Sequence, residues 1–397
     1  MDEVSADLLE RLERELVSYI YERYLQQRWD GRAIPKDLFR SFVAHARSIS
    51  DSFTVHRNQF KGGYFRSKEG RAAYFLYFHL ANMVRTFAVL REISRRKAWP
   101  SGPLRVLDVG SGSAPSLWAA SLAAQGSKNL IEHMIAVDQE EKILRDAKEL
   151  WSRAGHIGGW SEIPFYSRQV RFSELPQKLD RSQYDVILFS NLINEMASSS
   201  DEFLVQILGR LFKKHLRDGG LLVMVEPALQ VTSRHLTSLR DRFLSTVDCE
   251  ASFPCGHNGK CPLNREPRDW CHFEVSWNPP PIRKRIEKVL GHQSGSLKFS
   301  YLVFQHSPSA GTIRGVRVLS DSLSSPAGDR LLLCQPERKV ALCFNRKEKG
   351  VGTLLHSCRR GDLLELEPSL LEDLESKRIA RYAREIDVPP HASIRRL

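Results

Sequence analysis

Residues 104–138 constrain the fold more than any other stretch. Leu104-Arg-Val-Leu-Asp-Val is a short apolar strand, Gly110-Ser-Gly-Ser-Ala a turn, and Ser116-Leu-Trp-Ala-Ala-Ser-Leu-Ala-Ala a helix; a second strand, Met134-Ile-Ala-Val, then ends on Asp138. Glycines at 110 and 112 permit a sharp turn and a close backbone approach to a ligand, while the start of the following helix offers free N–H groups. Further strand patterns at 169–172, 184–189 and 220–225 alternate with helical patterns at 200–215 and 230–246. Such alternation predicts a doubly wound parallel sheet whose ligand sits beyond the carboxyl ends of the strands. An acid after the second strand suits a ribose, because one carboxylate can accept from both hydroxyls, and Asp138 holds that place.

A nicotinamide site expects G-x-G-x-x-G, but position 115 is proline. The run D-V-G-S-G-S-A instead resembles motif I of class I S-adenosylmethionine-dependent methyltransferases, with Ala114 where a third glycine often stands. That resemblance makes Asp108, Gly110, Gly112, Asp138 and Asn191 the expected cofactor-binding residues. The fourth strand ends Phe189-Ser-Asn-Leu-Ile-Asn-Glu, without the Pro-Pro-aromatic motif by which amino-methylating enzymes hold a flipped base. No catalytic residue is assigned, and Asn194, Glu195 and Glu226 are polar groups near the rim without a role.

On the amino-terminal side, residues 4–27, 35–49 and 72–96 repeat apolar positions at helical spacing, so 1–100 reads as a helical domain. The aromatic residues Tyr74, Phe75, Tyr77 and Phe78 are expected in its core. The sheet domain covers 101–248, a cysteine-rich loop 249–297, and a β-rich basic region 298–397. Of the strands beyond Lys298, some are expected to extend the parallel sheet and the later ones to form a small antiparallel sheet or barrel. Residues 372–384 read as a charged helix, and 389–397 as a mobile tail.

The loop Cys249–Phe273, CEASFPCGHNGKCPLNREPRDWCHF, holds four of the seven cysteines among Gly, Pro, Asn and charged residues. Little apolar surface is present to bury them as core filler, and the looped backbone can turn several sulfurs toward one centre, as a metal or cluster requires. Zinc sites usually show C-x2-4-C pairs, whereas gaps of five residues (255 to 261) and nine (261 to 271) separate these. His257 or His272 could complete a zinc site; a cluster needs a fourth thiolate from Cys249, Cys334, Cys343 or Cys358. The spacing leaves both open.

The chain is 42% hydrophobic and 27% charged, as in a soluble globular protein, and has no apolar run of membrane-spanning length. Its acidic start shows no import signal, so a bacterial cytoplasm is expected, with the mitochondrial matrix as the alternative. A net charge of +12 points to an anionic partner. Lys and Arg crowd 283–288, 314, 317, 338, 339, 346–349, 359 and 360, which suggests an RNA surface.

The run F-P-C-G-H-N-G-K-C-P-L followed by D-W-C-H-F resembles the cysteine signature of the methyltransferase-like small ribosomal subunit assembly factors, which include mitochondrial methyltransferase-like protein 17 and bacterial relatives. The helix at 72–92, the D-V-G-S-G motif, Glu226-Pro227, K-F-S-Y-L at 298 and L-L-L-C at 331 follow in that family's order. Gly256 stands where the family commonly has proline. The resemblance implies a 4Fe-4S cluster on Cys255, Cys261, Cys271 and Cys334, a possible S-adenosylmethionine site, and a monomer that binds the small ribosomal subunit and its rRNA during assembly or translation. Active methyl transfer to RNA or protein is the alternative function.

Overall fold

The computed structural model describes residues 3–54, 63–127, 129–179, 183–196, 199–292, 295–307, 315–325, 328–347, 349–370, 384–388 and 393–397. Residues 372–383 of the expected charged helix and 389–392 of the expected tail lie outside them.

Four helices open the chain: α1 (Ala6–Leu25), α2 (Lys36–Thr54), α3 (Lys68–Tyr74) and α4 (Leu80–Arg95). Serine caps two of them: Ser5 Oγ accepts from Leu8 N–H at 3.2 Å and Ser67 Oγ from Gly70 N–H at 3.0 Å. One turn of π-helix, Phe75–His79, joins α3 to α4, an irregularity often found at functional sites. The alternating region follows as β1 (Leu104–Val109), α5 (Pro115–Ser127), β2 (Ile131–Asp138), α6 (Glu141–Gly158), β3 (Phe165–Gln169), α7 (Leu175–Lys178) and β4 (Tyr184–Ser190). It continues through α8 (Leu192–Glu195), α9 (Asp201–His215), β5 (Leu216–Pro227) and α10 (Gln230–Thr246). After β6 (Glu250–Phe253) come the cysteine loop, β7 (Phe273–Ser276), α11 (Pro281–Leu290) and β8 (Ser296–Gln305).

The main sheet runs β3-β2-β1-β4-β5-β8-β6, with β7 also pairing β8. Strands β1 to β5 are mutually parallel, the doubly wound α/β sheet expected from the alternation, as in the class I methyltransferase-like fold that the motif resemblance implied. Two details differ from expectation. The strand beginning near Lys298 joins this sheet, but antiparallel to β5, pairing Glu226 with Ser300. The third strand lies at 165–169 rather than 169–172, and Phe172 opens a short 3-10 turn.

A β-rich region completes the chain: β9 (Val316–Arg317), β10 (Leu323–Ser325), β11 (Gly328–Gln335), β12 (Arg338–Phe344), α12 (Val351–Ser357), β13 (Leu363–Leu366), β14 (Arg384–Asp387) and β15 (Ile394–Arg396). It forms two small sheets, β10-β11-β12-β14 and β15-β13-β9, antiparallel except where β14 runs parallel to β12. Arg384, expected at the end of a helix, starts β14.

One face of the main sheet shares its core with the first helices: Leu12, Leu16, Phe75 and Leu90 pack in the same cluster as Val106, Met134, Val186 and Val223. α7, α9 and α10 cover the other face. Buried polar groups tie the helices down. Asp146 on α6 accepts from Tyr19 Oη at 2.6 Å and Tyr24 Oη at 2.5 Å on α1, and pairs with Arg71 on α3 at 2.7 Å.

Glu13 on α1, also buried, caps α11 by accepting the N–H groups of Ile282 and Arg283, both at 2.8 Å. Burial raises its carboxyl from 4.5 to about 7, although the two N–H donors pull the other way. Its folded value lies above the unfolded one, so the folded state holds a proton the unfolded chain has released, and stability falls as pH rises through that window. Glu13→Gln is expected to remove on the order of 2–3 kcal/mol of this pH dependence. Denaturant unfolding at about pH 5 and about pH 8 reads it; an unchanged difference between the two would refute it.

Candidate functional site

A cavity of about 470 Å³ opens at the carboxyl ends of β1, β2 and β4, within the usual size of small-molecule sites. The turn after β1 forms part of its wall. Gly110 and Gly112 adopt φ of +67° and +53°, and a Cβ on Gly110 would stand 2.8 Å from Leu192 Cδ1. The left-handed backbone favours glycine at 110, and any Cβ there would also have to displace the Leu192 side chain. Ala114 adopts φ of 62° without that freedom, a conformation that costs an L-residue about 1–2 kcal/mol, and its N–H donates to Ser111 O at 2.8 Å.

Asp138 ends β2 and lines the cavity. Its Oδ2 accepts from Gly112 N–H and its Oδ1 from Glu140 N–H, both at 2.9 Å, and each oxygen retains a further lone pair. Burial raises this carboxyl, opposed by those N–H donors. Asp108 is not on the cavity wall. It is 1% exposed, neither carboxylate oxygen has a hydrogen-bond partner, and burial followed by the charge of Asp138 raises its carboxyl well above the usual range. Asn191 lines the cavity in a left-handed conformation, its N–H donating to Val225 O at 2.8 Å and its Nδ2 to Ser190 Oγ at 3.2 Å.

Three residues without a sequence-based role acquire one. Glu226, wholly buried, accepts from Ile193 N–H at 2.9 Å and Asn194 N–H at 3.0 Å and so caps α8. Asn194 Oδ1 accepts from Thr232 Oγ1 on α10 at 2.8 Å. Glu195 faces the cavity and accepts from Tyr64 Oη at 2.9 Å; burial raises its carboxyl to about 8, so it is mostly protonated at neutral pH.

The opposite wall comes from the first helices. Tyr74, Phe75 and Tyr77 are buried as expected, yet Tyr74, Tyr77 and Phe78 also face the cavity, with Asn82 and Arg85 one and two turns further on. Tyr74, Tyr77 and Phe78 share one helical face by their spacing, and periodicity alone does not say whether such a face meets core or cavity.

Cys255, Cys261, Cys271 and Cys334 line a second, smaller pocket enclosing about 20 Å³, roughly one water's worth of space. Of the four candidates for a fourth thiol, Cys334 alone lines it. Cys249 packs beside the core under α10, and Cys358 is buried in the β-rich region, its Sγ donating to Leu354 O at 3.4 Å. Burial, then the neighbouring cysteines, pushes the Cys261 thiol up to about 12 and that of Cys334 well above its ordinary range. His257 Nδ1 lies 3.2 Å from Gly259 O and Nε2 3.4 Å from Cys334 Sγ. A carbonyl only accepts, so Nδ1 carries the proton and Nε2 faces the thiol. Among the described residues, no group of three or more His, Cys, Asp or Glu side chains is gathered so as to hold a metal ion.

Helix α10 is the loop's scaffold. Arg234 donates to the carbonyls of Leu263, Asn264, Glu266 and Asp269 at 2.7–3.1 Å. One turn on, Thr237 Oγ1 donates to Asn264 Oδ1 at 2.6 Å. Arg240 donates to Gly259 O at 2.9 Å and His257 O at 2.5 Å, and Asp241 accepts from Cys261 N–H at 3.1 Å. A loop too polar to fold on apolar packing thus has its backbone groups satisfied by side chains on one helical face. The β11–β12 hairpin closes over it: Glu337 N–H donates to Lys260 O at 2.9 Å, Lys339 pairs with Asp269 at 2.5 Å, and a Cβ on Gly259 would meet Pro336 at 2.7 Å. A Cβ on Gly256 would stand 2.4 Å from Gly315 O, so side chains there are excluded.

The expected basic surface is partly internal. Arg283 is buried, paired with Glu287 at 2.6 Å and 3.6 Å over the Tyr77 ring. Arg317 is buried and paired with Glu92. Lys284, Arg285 and Lys288 on α11 are exposed, as are Arg346, Lys347, Arg359 and Arg360; Arg314 lies outside the described residues.

A family model described as mitochondrial small ribosomal subunit Rsm22 matches residues 70–362. The chain belongs to the Rsm22 family. That span holds the glycine turn, Asp138 and all four pocket cysteines. No curated protein matches the chain. Solved structures similar to this Rsm22 family member include a ribosomal protein L11 methylase from Lactobacillus delbrueckii subsp. bulgaricus (14% identity, 54% of this chain and 76% of that one, TM-score 0.30). An S-adenosylmethionine-dependent methyltransferase from Agrobacterium tumefaciens (13%, 57% and 62%, 0.33) and the rRNA methyltransferase aviRa from Streptomyces viridochromogenes (16%, 36% and 74%, 0.29) are also similar. At these scores the likenesses carry no argument; the fold assignment rests on strand order and direction.

Proposed function

We propose that this chain is a small ribosomal subunit assembly or translation factor that binds rRNA, carries a 4Fe-4S cluster on Cys255, Cys261, Cys271 and Cys334, and keeps an S-adenosylmethionine pocket. The observation that carries the reading is membership of the Rsm22 family over a span containing both sites. The family description favours the mitochondrial matrix as the setting. Among the described residues, no helix is long and apolar enough to cross a membrane.

The donor set of the cysteine pocket, rather than its present volume, is what fits a cluster. Four thiols share it with the buried guanidiniums of Arg240 and Arg317 and with no carboxylate. A four-iron cluster keeps each thiolate on a separate iron, farther apart than the ligands of a single ion, and when bound it supplies the positive charge that lets buried thiols ionise. Cys334 would then anchor the β11–β12 hairpin to the loop, while Arg234, Arg240 and Asp241 hold the loop on α10. In the cavity, Asp138 would accept from ribose hydroxyls and Gly110 and Gly112 would let the backbone approach the ligand, Asn191 standing on the same wall.

Co-sedimentation with small ribosomal subunits tests the partner. If Lys284, Arg285 and Lys288 each neutralise a phosphate, replacing all three by Gln lowers the log–log salt slope of rRNA binding by about 2–3 units. An unchanged slope moves the RNA surface elsewhere, and no association at any salt removes the ribosomal reading. A second reading, methyl transfer to RNA or protein, is favoured by the cavity at the strand ends; transfer of tritiated methyl from S-adenosylmethionine to immature small-subunit RNA decides it.

A further inference from the structure

A line of contacts leads from the glycine turn along the helical wall of the cavity. A Cβ on Gly112 would stand 3.9 Å from Tyr74 Oη, Asn82 Nδ2 donates to that oxygen at 3.2 Å, and Arg85 Nη1 donates to Asn82 Oδ1 at 2.8 Å. Arg85 therefore lies a few side chains beyond the turn, on the same cavity. Its Nε is shielded from solvent and has no hydrogen-bond partner, and no carboxylate pairs with it among the described residues.

The neighbouring charges do not compensate it. Arg283 lines the same cavity, and its Nε and Nη2 take Glu287 Oε1 at 2.7 and 2.6 Å. Glu195, one of the acids lining the cavity, is mostly protonated at neutral pH, because burial raises its carboxyl to about 8. Two guanidiniums and the Glu287 carboxylate leave this corner with one positive charge in excess, and among the described residues the remaining acids of the cavity, Asp138 and Glu140, stand at the end of β2 and pair with neither arginine. Burial, and after it the repulsion of Arg283, lowers Arg85 to about 10, which is the response of a cation without a counter-ion. A structural arginine at such depth is ordinarily matched by a carboxylate.

We propose that Arg85, with Asn82 beside it, forms an oxyanion subsite, so that the ligand of this cavity carries a carboxylate or a phosphate beyond its nucleoside. The proposal rests on the reading of Asp138 and the glycine turn as a nucleoside site. A guanidinium offers planar paired donors that match either oxyanion, and a site enclosed from water strengthens such a charge-assisted contact.

Calorimetry with three probes tests it: S-adenosylhomocysteine, which carries a carboxylate; 5′-methylthioadenosine, the same nucleoside without the amino-acid part; and ADP, which carries phosphate. The wild type is expected to bind one of the anionic probes at least about tenfold more tightly than methylthioadenosine. The tighter of the two assigns the subsite to carboxylate or to phosphate. Arg85→Met should erase most of that preference and leave methylthioadenosine within about twofold, while Arg85→Lys recovers part of it. Equal wild-type binding of all three probes overturns the subsite and leaves the nucleoside site standing, and that comparison needs no variant. Equal weakening of all three in a folded Arg85→Met protein makes Arg85 a structural residue and also overturns it. Binding of none removes subsite and nucleoside site together.

Discussion

Arg317→Met is expected to lower the unfolding free energy by about 3 kcal/mol, because it leaves the Glu92 carboxylate without its partner in a largely enclosed place. Arg317 on β9 is 4% exposed at its side chain and joins three parts of the chain. It pairs with Glu92 on α4, and it donates to Pro254 O at 3.0 Å beside the cysteine loop and to Gly361 O at 2.5 Å. Tyr301 on β8 donates to the second oxygen of Glu92. Glu92 keeps 24% of its side chain exposed and Arg96 stands 3.6 Å away, so the cost belongs at the lower end for a broken buried pair.

The same variant should lose an acid-dependent part of its stability. Burial alone would raise the Glu92 carboxyl, but Arg317 and Tyr301 more than offset it and hold it below its ordinary 4.5. A carboxyl depressed in the folded state stabilises above the unfolded value, and that contribution drains away as pH falls through the folded one. The wild type should therefore lose the pair's contribution below about pH 4.5, whereas Arg317→Met has none of it to lose. Urea midpoints at constant m-value measure both effects, and Glu92→Gln in the Arg317→Met background should recover part of the loss. A change below about 1 kcal/mol would show that the pair does not hold the β-rich region to α4 and β8.

The sequence made the strand-turn-helix at 104–138 readable because strands covered on both faces are continuous apolar runs and because the left-handed backbone at 110 favours glycine. Strand direction was hidden: Phe299-Ser-Tyr-Leu-Val-Phe has the same pattern whether it pairs parallel or antiparallel. The third strand was misplaced because Phe165-Tyr-Ser-Arg-Gln forms an edge with four of its five residues exposed, which removes the apolar run that a buried strand shows. Charge was equally ambiguous. Arg283 and Arg317 look like any surface arginine in a basic stretch; Glu287, one turn on in α11, is a local partner of Arg283, but what buries the two, the Tyr77 ring over Arg283 and Glu92 on α4 for Arg317, is a matter of tertiary contact. Distance also hid the cavity that Arg85 faces, whose other walls come from the strand ends, and the α10 face of Arg234, Thr237, Arg240 and Asp241, whose partners lie on a loop that no local periodicity reports.

Cys334→Ser is expected to abolish metal retention as completely as Cys261→Ser, although 73 residues separate the two positions. Protein purified without oxygen should be brown and carry about four iron per chain in the wild type, and more than about tenfold less in either variant. Cys249→Ser, Cys343→Ser and Cys358→Ser should retain it, since none of these residues lines the pocket that Cys334 shares with Cys255, Cys261 and Cys271. Stoichiometric zinc in colourless protein would replace the cluster by a single ion, and iron retained in Cys334→Ser would remove the long-range ligand. The second readout is mechanical. Without metal, the hairpin keeps the Glu337–Lys260 hydrogen bond and the Lys339–Asp269 pair against the loop, contacts that are partly exposed and individually weak. Amide exchange at 328–344 should therefore rise in Cys334→Ser, while β1 to β5, whose core sits on both faces of the main sheet, exchange as in the wild type. Equal protection of the hairpin in both proteins would show that the packed core holds it without help from the thiols.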